Sequence, residues 1–143
     1  MIHLNNTPNN CGKINKGAGL IEAWQDNVEL LKKYDYIIHY EPRQQMIKDL
    51  VISAFNKEPG NYIKKRSARG GMETGFFIIE SKYLIDYVNN KNMTNLVSMC
   101  KNNISIENNF RGYINSKKLQ LKEIPHLGII WYEARRNNAP RLL

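Results

Sequence analysis

Two short runs, residues 34–40 (YDYIIHY) and 76–79 (FFII), constrain the fold of this chain more than any other feature. Both are dense in aromatic and β-branched residues and too brief for a stable helix, so they read as strands that need covering. Apolar residues at helical spacing surround them. Leu20, Ala23, Trp24, Val28 and Leu31 mark an amphipathic helix over 19–33, closed by Lys32 and Lys33, where cations suit the helix dipole. Ile47, Leu50, Val51, Ala54 and Phe55 mark a second helix, stopped by Pro59 and Gly60. Leu84, Ile85, Tyr87 and Val88 mark a third, and Leu96, Val97 and Cys100 a fourth. A fifth carries Phe110, Tyr113 and Ile114, with Ser105 as its N-cap. Residues 62–63, 119–124 and 128–132 read as further short strands. Helices alternating with short apolar strands make an α/β fold, a small layered sheet flanked by helices. One domain over 1–143 is expected, with 1–18 as a polar, loop-rich lead-in.

The bulk numbers fit that class. At 143 residues, 42% hydrophobic and 24% charged, the composition is that of an ordinary globular domain. No apolar run approaches the roughly 20 residues that span a bilayer. The opening MIHLNNTPNN lacks the basic and apolar regions of a secretory signal, so a cytoplasmic, reducing location is expected. Cys11 and Cys100 form no CxxC pair and are expected to be free thiols. The net charge of +8 points to phosphate-bearing partners: nucleotide, nucleic acid or an anionic membrane face met peripherally. It gathers at Lys64, Lys65, Arg66 and Arg69, and again at Arg135, Arg136 and Arg141.

Ligands of open α/β sheets gather beyond the strands' carboxyl ends, and polar residues cluster at three such places here. Glu41, Pro42, Arg43 and Gln44 follow the first strand. Arg69, Gly70, Gly71, Glu73 and Thr74 lie beside the second. Trp131, Glu133, Arg135 and Arg136 mark the last. Glu107, just after Ser105, puts a carboxylate in a helix's first turn, where it favours the dipole without any chemistry. Trp131 could stack on a ligand or belong to the core. His39 reads as a packed core residue, and His126 as a lone histidine without metal partners.

Two stretches together, GKINKGAGLIEAWQDNVELLKKYDYIIHYEPRQ and METGFFIIESKYLIDYVN, resemble the centre and acceptor side of a GT-A-type nucleotide-sugar glycosyltransferase. SIENNFRGYI stands where such enzymes carry an acidic residue at a helix start, and HLGIIWYEA resembles the closing strand. The resemblance is one of succession over most of the chain. It implies a GT-A-like fold truncated at the N-terminus, lacking the opening nucleotide-binding units. It also implies sugar transfer from a nucleotide-sugar donor to a glycan or lipid-linked acceptor. Glu107 would be the catalytic base, and Glu41, Arg43, Arg69, Glu73, Thr74 and Trp131 would bind substrate.

The family's divalent cation, manganese or magnesium, is held by an Asp-x-Asp pair. Here the position reads Tyr40-Glu41-Pro42-Arg43, with one carboxylate and one guanidinium. A metal-independent variant is therefore expected, Arg43 offsetting diphosphate charge directly. The alternative function is a basic nucleic-acid-binding module, built from the cationic clusters interleaved with Tyr62, Trp131 and Tyr132. No RNP, KH, zinc-finger or helix-turn-helix signature accompanies them. A scaffold or assembly subunit is a third reading.

Overall fold

In the computed structural model, which describes residues 8–41, 44–64, 71–122, 126–131 and 141–142, helices and short strands alternate as expected. A 3-10 turn (Cys11–Lys13) leads into α1 (Lys16–Asp26), α2 (Val28–Leu31), β1 (Tyr36–Tyr40), β2 (Gln45–Met46) and α3 (Leu50–Lys57). Then follow β3 (Phe76–Glu80), α4 (Ser81–Asn89), α5 (Leu96–Asn102), α6 (Ile106–Ser116), β4 (Ile129–Trp131) and β5 (Arg141–Leu142). The class is mixed α/β. Among the described residues no helix is long and apolar enough to cross a membrane.

The FFII run explains the layering. Its side chains alternate between faces, and all four are fully buried. Phe77 and Ile79 enter a larger core with Trp24 of α1, Leu84 and Tyr87 of α4, and Phe110 and Tyr113 of α6. Phe76 and Ile78 enter a smaller one with Val51 of α3, Tyr62, Leu127 and Ile129. A strand apolar on both faces needs cover on both sides, and the helices and the second sheet supply it.

A single sheet was expected, but the described strands form two. β1 pairs antiparallel with β3, Tyr36 opposite Glu80 and Tyr40 opposite Phe76. The second sheet has the order β2-β4-β5, also antiparallel. Short apolar runs encode burial, not partner or direction. What draws β4 to β2 is local: Ile47 N and Lys48 N both donate to Gly128 O, at 2.9 and 3.1 Å. Gly128 adopts φ +72°, and a Cβ there would lie 2.5 Å from Lys48 O. Only glycine accepts both conditions.

Three element boundaries also move. The helix expected over 19–33 starts at Lys16 and breaks at Asn27 into α1 and α2. Asn27 Nδ2 donates to Ala23 O at 2.7 Å, a local side-chain bond of the kind that competes with helix continuation. The strand expected over 119–124 contributes one pairing, Leu121 beside Asn61, while 123–124 lie outside the described residues. The strand at 62–63 is likewise one pairing, Tyr62 against Ile78, on the edge of β3 away from β1.

His39 sits between aromatic rings, stacked on Phe77 at 5.0 Å and edge-on to Trp24 at 5.3 Å. Its buried Nε2 has no hydrogen-bond partner. Burial lowers its pKa to about 4. The folded chain therefore binds this proton less readily than the unfolded chain, whose histidine titrates near 6.5. Its contribution is full above about pH 6.5 and lost as pH falls toward 4, a loss of roughly 2–3 kcal/mol. In urea unfolding at pH 7.5 and pH 4.5, His39→Phe is expected to lose less stability on acidification than the natural chain. Identical losses in both would show that another group carries the acid sensitivity.

Candidate functional site

The antiparallel pairing of β1 and β3 sets the end of one against the start of the other. Glu41 N donates to Gly75 O at 2.8 Å, so Glu41 and the 73–75 segment share one rim. Glu73 and Thr74 are buried there, each 5% exposed. Glu73 Oε1 accepts from Gly75 N at 3.1 Å, and Glu73 N donates to Lys64 O at 2.8 Å. The parallel-sheet rule thus serves β1 only: Glu73 and Thr74 precede β3 and reach the rim because β3 runs the other way.

The first turn of α6 closes on the same place. Met72 N donates to Glu107 O at 3.1 Å. A Cβ on Gly71 would meet Glu107 Cβ at 3.0 Å, so the 71–74 segment lies flat on that turn. Ser105 occupies the N-cap position, but its hydroxyl makes no capping bond to the backbone. It donates instead to Glu107 Oε2 at 2.6 Å. Ser105 thus stands at the expected N-cap, while its hydroxyl holds the candidate base in place instead of capping the backbone. Glu107 also acts on its surroundings. Burial first, then its negative charge, hold the Tyr87 hydroxyl protonated above the ordinary tyrosine range.

The remaining wall is the start of α1. Asn15 caps it, Oδ1 accepting from Ala18 N at 2.9 Å. The same amide donates through Nδ2 to Met99 O and Ile104 O, at 3.1 and 3.2 Å, tying α1 to the α5–α6 turn. Gly17 lets the two helix starts touch, since a Cβ there would lie 2.8 Å from Ile106 Cβ. Gly19 in turn lies against Gly12, whose Cα would be 2.3 Å from an added Cβ.

Between these walls lies a cleft of about 910 Å³. Glu41, Glu73, Thr74 and Glu107 line it, so four of the seven residues expected in the site come together. Arg43 and Arg69 lie outside the described residues. Trp131 ends β4, which belongs to the other sheet. The cleft also takes in Asn9, Asn15, Lys16, Gly17 and Asn103, none of which was expected there. Asn15 carried a usable signal, an asparagine immediately before a potential first turn. The glycines after it made the segment read as loop.

The lining mixes three carboxylates with amides and hydroxyls, groups that hydrogen-bond to a polyhydroxylated ligand. Leu20 and Ala23 add an apolar floor. Among the described residues no group of three histidine, cysteine, aspartate or glutamate side chains could hold a metal ion. Of the cationic clusters, residues 65–70 and 132–140 lie outside the described residues.

No family model, curated protein or solved structure matches this chain.

Proposed function

We propose that this chain is a GT-A-like glycosyltransferase whose cleft receives a nucleotide sugar and the hydroxyl of a glycan or lipid-linked acceptor. One observation carries the reading. Glu41, Glu73 and Glu107, from three separate parts of the chain, line a single cleft together with Asn15, Asn103, Thr74 and Ser105. Transfer of a sugar requires a base for the acceptor hydroxyl and hydrogen-bonding groups for the rings on either side. Glu107 is the base, positioned by the Ser105 hydroxyl at the start of α6. Glu73, fixed by Gly75 N, and Thr74 orient sugar hydroxyls, and Glu41 bounds the cleft at the end of β1.

The test is thermal unfolding of the protein with UDP-, GDP- and CMP-sugars, with and without manganese, followed by assay of donor hydrolysis. A donor that binds the folded chain at about 100 times its Kd stabilises it by about 2.7 kcal/mol, which is read as a raised melting temperature. If no donor shifts melting and none is hydrolysed, with or without manganese, sugar transfer by this chain is excluded.

A further inference from the structure

The cysteines lie 89 positions apart in sequence, yet they meet in the fold. Cys11 begins the 3-10 turn that packs on α1, and α1 packs on α5, which carries Cys100. The Cys100 thiol donates to Cys11 O at 3.9 Å, so the two cysteines are direct neighbours. Both are reduced and only partly buried, so small reagents reach them. The backbone at Cys11 is held by contacts that do not involve its sulfur. Its N donates to Glu22 Oε2 at 2.9 Å, and its O accepts from Ile14 N and Asn15 N at 3.0 and 2.8 Å. The side chain is left to turn toward Cys100 while the turn stays in place.

We infer that Cys11 and Cys100 are a redox-modification site, converted by a low-molecular-weight disulfide such as oxidised glutathione into an intramolecular disulfide. The Cys100 thiolate attacks one glutathione sulfur and expels a glutathione thiolate, leaving a mixed disulfide. The Cys11 thiol gives its proton to solvent, and its sulfur displaces the second glutathione as the bond to Cys100 forms. Two protein thiols are oxidised and one glutathione disulfide is reduced to two thiols, so the exchange balances. The order follows from the surroundings. Burial, then the neighbouring Cys100 thiol, then Glu22, push the Cys11 thiol up to about 11. Cys11 is therefore the poor first nucleophile and reacts second, with its target already beside it.

The site differs from the sugar-transfer reading and does not depend on it, although its consequence falls on the same cleft. Gly12 and Asn15 follow Cys11, Asn103 follows Cys100, and all three are lining residues. The disulfide fixes that wall by a covalent bond.

The whole chain, reduced and then incubated with oxidised glutathione at mildly alkaline pH, tests this by mass spectrometry without reductant. The expected product is a monomer lighter by two hydrogens, with tryptic peptide 1–13 joined to 92–101. Its melting temperature is expected to stand at least about 5 °C above that of the reduced chain, and dithiothreitol to reverse both changes. Cys11→Ser and Cys100→Ser are expected to prevent the linkage. A stable gain of glutathione on the natural chain, a disulfide between two chains, or thiols that stay unmodified would each overturn the inference. Because the readout is linkage, its outcome is the same whether or not any nucleotide sugar binds.

Discussion

Truncating Phe110 to alanine is expected to lower the unfolding free energy by about 3–5 kcal/mol, the range of buried Phe→Ala changes. Phe110 is fully buried where α6 meets β3 and α4. Its ring centroid lies 4.8 Å from Tyr87 and 5.4 Å from Phe77, and its plane is parallel to Tyr113 at 6.5 Å. How far the site can collapse decides where in the range the loss falls, and here the neighbours are pinned. Tyr87 OH donates to Asn109 Oδ1 at 2.7 Å, and Tyr113 OH to Asp86 Oδ2 at 2.6 Å. Neither ring can slide into the void without breaking its bond, so the upper half of the range is expected. A domain of this size is stable by only about 5–15 kcal/mol. Urea unfolding should show the midpoint falling sharply with the slope unchanged. Val97→Ala, at a site 78% exposed, should stay within about 0.5 kcal/mol. A Phe110 variant losing less than about 1 kcal/mol would mean that α6 does not pack on β3 as described.

Replacing Glu107 with glutamine is expected, on the proposed reading, to cut the rate of sugar transfer about 10²–10⁴-fold, the usual contribution of a general base. Glutamine keeps the shape of the side chain and can still accept from the Ser105 hydroxyl, so nucleotide-sugar binding should persist. The lost interaction of a carboxylate with the start of α6 costs about 0.3–1 kcal/mol of stability. The signature is a fall in kcat with KM nearly unchanged, because the proton is taken only as the transition state forms. A variant that binds and turns over donor and acceptor like the natural chain would reduce Glu107 to a helix-start residue. The structural and catalytic roles, both open from sequence, separate in that one measurement.

The helices were legible because amphipathic spacing is a local signal: Leu84, Tyr87 and Val88, or Phe110, Tyr113 and Ile114, announce a buried face without reference to the rest of the chain. FFII was legible as a strand for the same reason. The rim residues followed from it, since Glu41 and Glu73–Thr74 simply flank two apolar runs. Strand direction was not legible. The pairing of β1 with β3 joins residues about forty positions apart, and nothing in either run says which way its partner points. The start of α1 was hidden by its glycines, which weaken a helix and so read as loop. In the fold they are there for space, Gly17 against Ile106 and Gly19 against Gly12, and tertiary contact outweighs the propensity. The cleft's amides stayed hidden with it, because Asn15 and Asn103 acquire meaning only when α1 and the α5–α6 turn meet.

Asn15 has a consequence for motion. One carboxamide, 6% exposed, holds the start of α1 through its oxygen and the carbonyls of Met99 and Ile104 through its nitrogen. Neither side can loosen without stripping a buried amide of its partners, at a cost of about 1–3 kcal/mol. The two segments should therefore exchange their amide hydrogens with solvent as a single cooperative unit, fluctuating in concert rather than breathing apart.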